Sequence, residues 1–165
     1  MLQGLKRRIP HDLRRGAYAL SKREVYTRFQ NFRRSGGEYS CVSFDQTKSI
    51  FIHIPKAAGI SICHVLYGNK AAGHQFLTEY ELIFSKREFD DFFKFTFVRN
   101  PWDRLYSAYA FMQQGGMNAD NQAFADKHLS KFDDFEEFVT SWVTPANIRG
   151  YLHFMPQCNW LRSYT

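Results

Sequence analysis

The chain has 165 residues, of which 44% are hydrophobic and 23% charged, and this length and composition favour one globular domain. Its three cysteines are an odd number without a C-x-x-C pair, which argues against a disulfide scaffold and a structural zinc site. The six histidines form no H-x-x-x-H pair, so no metal site is indicated. Neither a run of about 18 apolar residues nor a signal peptide is recognised, and a cytoplasmic location is expected.

The positive charge is concentrated at the N-terminus. Residues 1–35 contain ten Lys or Arg and two acidic residues, whereas residues 36–165 have a small excess of acids. The pattern predicts a basic, mostly helical arm (1–35) and an α/β body (36–165). Such an arm suits an anionic glycan or a membrane surface, and a solvated helix face is the alternative interpretation. Few aromatic residues are interleaved with the basic ones, so no nucleic-acid partner is expected.

The residue pattern predicts the secondary structure in chain order. In the arm, Ser21–Glu24 has the form of a capping box that opens a helix through about Arg33. In the body, the predicted elements are a hairpin of strands Tyr39–Phe44 and Ser49–Ile54, a helix Gly59–Leu66, a partly helical segment Leu77–Asp91, a strand Phe92–Val98, a helix Pro101–Phe111, a loop Gln113–Asn121, a helix Phe132–Val143 and an irregular tail from Arg149.

The body therefore repeats the order strand, loop, helix. This order is typical of α/β proteins and predicts a P-loop-like three-layer fold with a central parallel sheet flanked by helices. Ligands of such folds bind beyond the carboxyl ends of the strands. Both strand-to-helix loops lie at that edge, which makes them the candidate site.

The first loop, Pro55–Ser61, has the composition of an anion-binding turn. Its small side chains let backbone N–H groups approach a ligand, and the following helix offers unpaired N–H groups and the positive end of its dipole. Lys56 adds a cation and Ser61 a hydroxyl donor. The lysine precedes Gly59, so the Walker order G-x-x-x-x-G-K-[ST] is absent, which argues against ATP or GTP. An ordinary turn with a surface lysine is the alternative.

The second loop follows the strand Phe92–Val98. Arg99 leaves the strand at its carboxyl end, and Ser107 lies eight residues further on in the next helix. A guanidinium and a hydroxyl in this arrangement can converge on one phosphate. Arg104 could take part in this binding or could equally be structural, as a member of a surface or buried pair.

Together the two loops resemble the sulfotransferases that use 3′-phosphoadenosine 5′-phosphosulfate (PAPS). Pro55–Ser61 is similar to the family's 5′-phosphosulfate loop, P-K-x-x-G-[TS]-[ST], and Arg99–Tyr109 to its 3′-phosphate motif, R-x-P-x-x-R-L-x-S-x-Y. Gly73-His74 and the segment His153–Gln157 resemble patterns of the carbohydrate sulfotransferases and their bacterial relatives. The resemblance spans roughly residues 48–161 and leaves out the basic arm.

The resemblance implies a transfer of a sulfuryl group from PAPS to a carbohydrate hydroxyl, without a metal. Lys56 would hold the bridging oxygen and stabilise the departing 3′,5′-diphosphate, while Arg99 and Ser107 would hold the 3′-phosphate. The 5′-phosphate would be bound by the backbone N–H groups of Ala57, Ala58, Gly59, Ile60 and Ser61.

The acceptor hydroxyl needs a general base, and histidine suits this role at neutral pH. The resemblance makes His74 the first choice, and His153 the second, with a substrate contact as its other possible role. His53, in a buried strand, is interpreted as a packing or hydrogen-bonded residue.

Two departures from the family pattern keep alternatives open. Ile60 stands where the family usually has Thr or Ser, and the sequence stops at Thr165, before a further strand and helix that relatives usually have. A catalytically degenerate module that binds anionic glycans is one alternative, and a P-loop nucleotide kinase is another. A Golgi lumenal domain without its anchor is the alternative to the cytoplasmic location.

Overall fold

The computed structural model describes residues 9–163, so the first eight residues of the predicted arm lie outside the described part of the chain. The fold divides into two compact units, which are treated separately below. Within the described range, the first unit comprises residues 9–54, 58–97 and 157–163, and the second comprises residues 55–57 and 98–156.

The first unit combines short helices with a small sheet. Its helices are α1 (His11–Ser21), α2 (Arg23–Arg34), α3 (Val42–Thr47), α4 (Gly59–Tyr67), α5 (Leu77–Ile83) and α6 (Lys86–Asp91), followed by a 3₁₀ turn, Gln157–Leu161. Its strands are β1 (Ser49–Phe51) and β2 (Phe93–Phe95).

β1 and β2 pair in parallel, with Ile50 opposite Lys94. The pairing extends past β1, because the Ile52 N–H donates to the Phe95 carbonyl over 2.9 Å. Ile50, Phe51 and the residues after β1 are buried, as expected for a strand in the interior of an α/β protein. The parallel α/β fold is thus confirmed, and the three-layer arrangement stays a prediction.

The predicted hairpin is wrong. Residues Val42–Thr47 form α3 and not a strand, and Lys48 ends this helix in the left-handed region with φ +52°. Phe44 packs against the rings of Tyr67 and Tyr80, with centroids 5.0 and 5.9 Å away. These tertiary contacts outweigh the β propensity of the segment.

The predicted capping box is wrong as well, although its helix is present. α1 continues through Ser21, and Lys22 caps α2 without a side-chain hydrogen bond. Ser21 is the last residue of a helix, so its side chain cannot take the N-cap position.

Both helices of the arm are tied to the rest of the first unit. Arg14 in α1 forms an ion pair of 2.9 Å with Glu81, whose side chain is fully buried. Arg33 in α2 pairs with Asp45 at 2.6 Å and with Glu88 at 2.8 Å. Two of the arm's cations are therefore used in intramolecular packing.

The second unit is helical around an aromatic core. Its helices are α7 (Pro101–Gln113), α8 (Ala119–Phe124), which continues into a π turn (Ala125–Leu129), α9 (Phe135–Trp142) and α10 (Pro145–Gly150). Phe138 is fully buried and lies 5.2 Å from the ring of Trp142. α9 starts later than predicted because Asp134 caps it, and α8 and α10 were not predicted.

The described residues show no helix long and apolar enough to cross a membrane.

Candidate active site

The first loop has a strained backbone. Lys56 and Ala58 both adopt positive φ, +66° and +60°, although neither is glycine. The left-handed region costs a non-glycine residue about 1 kcal/mol or more, and such strain persists only where neighbouring groups enforce it. The backbone of this loop is therefore held by its surroundings.

The N-terminus of α4 follows this loop without a side-chain cap. Ala58 is the N-cap residue, and an alanine side chain has no oxygen that could accept from the first N–H groups of the helix. Ser61 is exposed in the first turn, and Ile60 is 40% exposed. This helix end therefore presents donors, the positive end of a dipole and one hydroxyl.

Gly59 is required by the ring of His53. A Cβ at position 59 would lie 1.9 Å from His53 Cδ2, which is far inside contact distance. Burial, together with the nearby His74, lowers the pKa of His53 to about 3, so its ring is neutral at physiological pH. The interpretation of His53 as a packing residue is confirmed, and its ring fits against the backbone at the start of α4.

His74 lies beside His53 in the first unit. The two ring centroids are 4.2 Å apart, and His74 Nδ1 is 3.1 Å from the carbonyl oxygen of His53. A carbonyl can only accept a hydrogen bond, so Nδ1 carries the proton. In the neutral ring the lone pair then resides on Nε2, which is the form that a general base requires.

Lys56 belongs to the second unit, where its side chain contacts the ring of Phe111 in α7. Nζ lies 3.9 Å from the centroid of the Phe111 ring. Burial first, and the positive charge of Arg99 second, lower the pKa of Lys56. Lys56 of the first loop and Arg99 of the second are therefore close enough to interact electrostatically.

Arg104 anchors the first loop to α7. Its Nε donates to the Pro55 carbonyl over 2.8 Å, and its Nη1 donates to the Met155 carbonyl over 3.0 Å. The side chain is 5% exposed, and burial lowers its pKa to about 10. Sequence reasoning left its role open, and its place in the R-x-P-x-x-R pattern was the signal that could have singled it out.

The second loop contrasts with the first in its capping. Asn100 precedes α7, and its side-chain oxygen accepts from the N–H groups of Trp102 and Asp103 at 3.0 and 3.5 Å. Arg99 is exposed and Ser107 is partly buried. In this loop the groups suited to an anion are therefore side chains.

The remaining candidate, His153, lies in the second unit, where its ring centroid is 5.1 Å from that of Phe111. The second unit thus groups Lys56 with Arg99 and, through Phe111, with His153. The first unit groups His74 with Gly59 through His53. Among residues 9–163, no cluster of three or more His, Cys, Asp or Glu side chains is arranged to hold a metal.

A buried parallel strand, an uncapped helix N-terminus and an adjacent lysine form the class of α/β loop that binds anionic groups. Comparison with known protein families matches residues 41–162 to the sulfotransferase family, a range that includes both loops. The chain belongs to the sulfotransferase family. No curated protein and no solved structure gives a significant match.

Proposed function

We propose that this sulfotransferase uses PAPS as the donor and a carbohydrate hydroxyl as the acceptor. The observation that carries the proposal is the first loop, where an uncapped helix begins three residues after Lys56 within the family match. Sulfotransferases generally use PAPS, which brings a 5′-phosphosulfate and a 3′-phosphate to be bound. The two loops supply one set of donors for each.

Donor binding is assigned to the two loops. The backbone N–H groups of residues 57–61 would hold the 5′-phosphate, and Lys56 would stabilise the charge that builds up on the leaving oxygen. Arg99 and Ser107 would hold the 3′-phosphate and thereby select PAPS over ATP, which lacks that group. The S–O bond to the phosphate breaks as the acceptor oxygen attacks in line from the opposite side.

Proton removal from the acceptor is assigned to His74. Its Nδ1 donates to the His53 carbonyl, so Nε2 carries the lone pair that would take the acceptor proton. The partly buried side chain of His153 would contact the acceptor. The carbohydrate assignment follows from the Gly73-His74 pattern and the segment 153–157, and the basic arm would assist an anionic glycan.

The proposal is tested by sulfate transfer from labelled PAPS to a panel of oligosaccharides. We expect transfer by the wild-type chain and a loss of about 10²- to 10³-fold in kcat for Lys56→Met, because a charge that stabilises the transition state is removed. Lys70→Met is the matched control, since Lys70 forms an ion pair with Glu38 at 2.8 Å outside the loops, and it should keep full activity.

A second candidate is a degenerate module that binds anionic glycans, and the exposed, apolar Ile60 in the first turn of α4 favours it. This module would bind sulfated glycans in a salt-dependent way, without transfer and without a response to adenosine 3′,5′-diphosphate. A cooperative melting transition that shifts only with ATP and Mg²⁺ would instead support a nucleotide kinase.

A further inference from the structure

Helix α7 holds the first loop by two side chains of one face. Arg104 bonds the Pro55 carbonyl, and Phe111, two turns further along the helix, receives the Lys56 ammonium on its ring. Residues seven apart lie on the same side of a helix, so the backbone and the side chain of the loop are fixed by the same surface.

We propose that Phe111 is a positioning residue that keeps the Lys56 ammonium charged and directed without using any of its N–H donors. The proposal rests on the proposed function for its catalytic consequence, whereas the contact itself can be tested without any reaction. An ammonium 3.9 Å from a ring centroid is within the range of a cation–π interaction.

The physical need for such a residue follows from the surroundings of Lys56. The side chain is partly buried and Arg99 adds a like charge, and both effects disfavour the ammonium. Within the described part of the chain, no carboxylate lies within ion-pair distance of Lys56 Nζ to offset them. The ring face of Phe111 is the group that does so.

An aromatic face has an advantage over a carboxylate in this position. A carboxylate would accept hydrogen bonds from the ammonium and would repel an incoming phosphosulfate. A ring attracts the charge through its quadrupole and leaves all three N–H donors for the ligand. The ring of His153 packs against that of Phe111, with the centroids 5.1 Å apart. Among the described residues, the charged or titratable groups around Lys56 include Arg99, Arg104 on the Pro55 carbonyl and, beyond the ring, His153.

The contact is tested by an NMR titration of the Lys56 side chain in the full chain. We expect Phe111→Leu to lower the pKa of Lys56 by about one pH unit, because the side chain stays apolar while the ring face is lost. Phe111→Tyr keeps the ring and should restore the wild-type value. Phe132→Leu is the matched control and should leave the pKa of Lys56 unchanged, since the Phe132 ring in the same unit lies against another lysine, with Lys131 Nζ 5.2 Å from its centroid.

An unchanged pKa in Phe111→Leu, or an equal fall in Phe132→Leu, would overturn the proposal whether or not the protein transfers sulfate. If the wild-type chain transfers sulfate, Phe111→Leu should lower kcat about tenfold with little change in KM for PAPS, and Phe111→Tyr should recover the rate. A wild-type chain that is inactive but shows the expected pKa change would refute the proposed function and leave the Lys56 contact established.

Discussion

The helices that follow the two strands differ in how their first backbone N–H groups are satisfied. Ala58, before α4, offers these groups no side-chain acceptor, whereas the Asn100 oxygen, before α7, accepts from two of them. An N-terminus that is already capped has fewer donors left for a ligand. The same strand, loop and helix order thus ends in an uncapped helix N-terminus in one loop and a capped one in the other.

The two loops differ in backbone strain as well. Lys56 and Ala58 have positive φ, while Asn100 has an ordinary φ of −46°. The second loop is stabilised by its own cap. The first loop depends on residues outside it, with Arg104 holding the Pro55 carbonyl and His53 packing against Gly59. A loop of this kind should be most sensitive to changes at the points where it meets these supports.

The largest effect is expected from Gly59→Ala. The added methyl group would overlap the buried ring of His53, so we expect a loss of about 3 kcal/mol in the free energy of unfolding and the loss of nucleotide binding. Urea unfolding and calorimetry with adenosine 3′,5′-diphosphate measure the two effects. Gly16→Ala is the control, because nothing lies within 4 Å of its Cβ position in α1, and it should gain up to about 1 kcal/mol. Equal stability of the two variants would contradict the account of the first loop.

A smaller effect is expected from acidification through His53. The pKa of His53 is about 3 in the folded protein and 6.5 in the unfolded chain. Between these pH values the unfolded chain binds a proton that the folded chain excludes. Stability should therefore fall as pH falls below 6.5, by about 2 kcal/mol between pH 7 and pH 5. The slope is measured by urea unfolding across this range. His53→Phe keeps a ring at this position and should flatten the slope, and an unchanged slope would show that His53 is not the group responsible.

The smallest effects on stability are expected from substitutions at the N-cap residues of α4 and α7. Asn100→Ala removes a cap and should destabilise the protein by about 1 kcal/mol. Ala58→Gly removes no cap and relieves a positive φ, so it should be neutral or stabilising by up to about 1 kcal/mol. Thermal unfolding of both variants gives the comparison. A loss of stability in Ala58→Gly equal to that in Asn100→Ala would mean that the two loops do not differ as described.

The parts of this structure that were predicted correctly have local signals. Pro101 fixed the start of α7, and the glycines at positions 59 and 68 bracketed α4. The two parallel strands were recognised as β-prone runs, although both are shorter than predicted. The expected burial is confirmed for β1 and wrong for β2, where Phe93 is 69% exposed. The sulfotransferase family was predicted from the resemblance of the two loops to its motifs, and the family comparison confirms it.

The supports of the first loop could not be predicted in the same way. Arg104 meets Pro55 across 49 residues of chain, and nothing in the pattern around either residue specifies that partner. Phe111 was predicted only as the end of a helix, and its contact with Lys56 depends on how the loop folds back onto that helix. Phe44 had the pattern of a strand residue, and its place in α3 is set by two aromatic contacts that are distant in sequence.

The central proposal is that the first loop binds the 5′-phosphate and the second loop the 3′-phosphate. It is tested most directly by calorimetric titration with adenosine 3′,5′-diphosphate and with 5′-AMP, which lacks the 3′-phosphate. In Arg99→Ala we expect binding of the 3′,5′-diphosphate to weaken by about 10- to 100-fold, because a charged hydrogen bond to the 3′-phosphate is lost, while binding of 5′-AMP is unchanged. An equal weakening for both ligands, or no weakening for either, would contradict the assignment of the 3′-phosphate to the second loop.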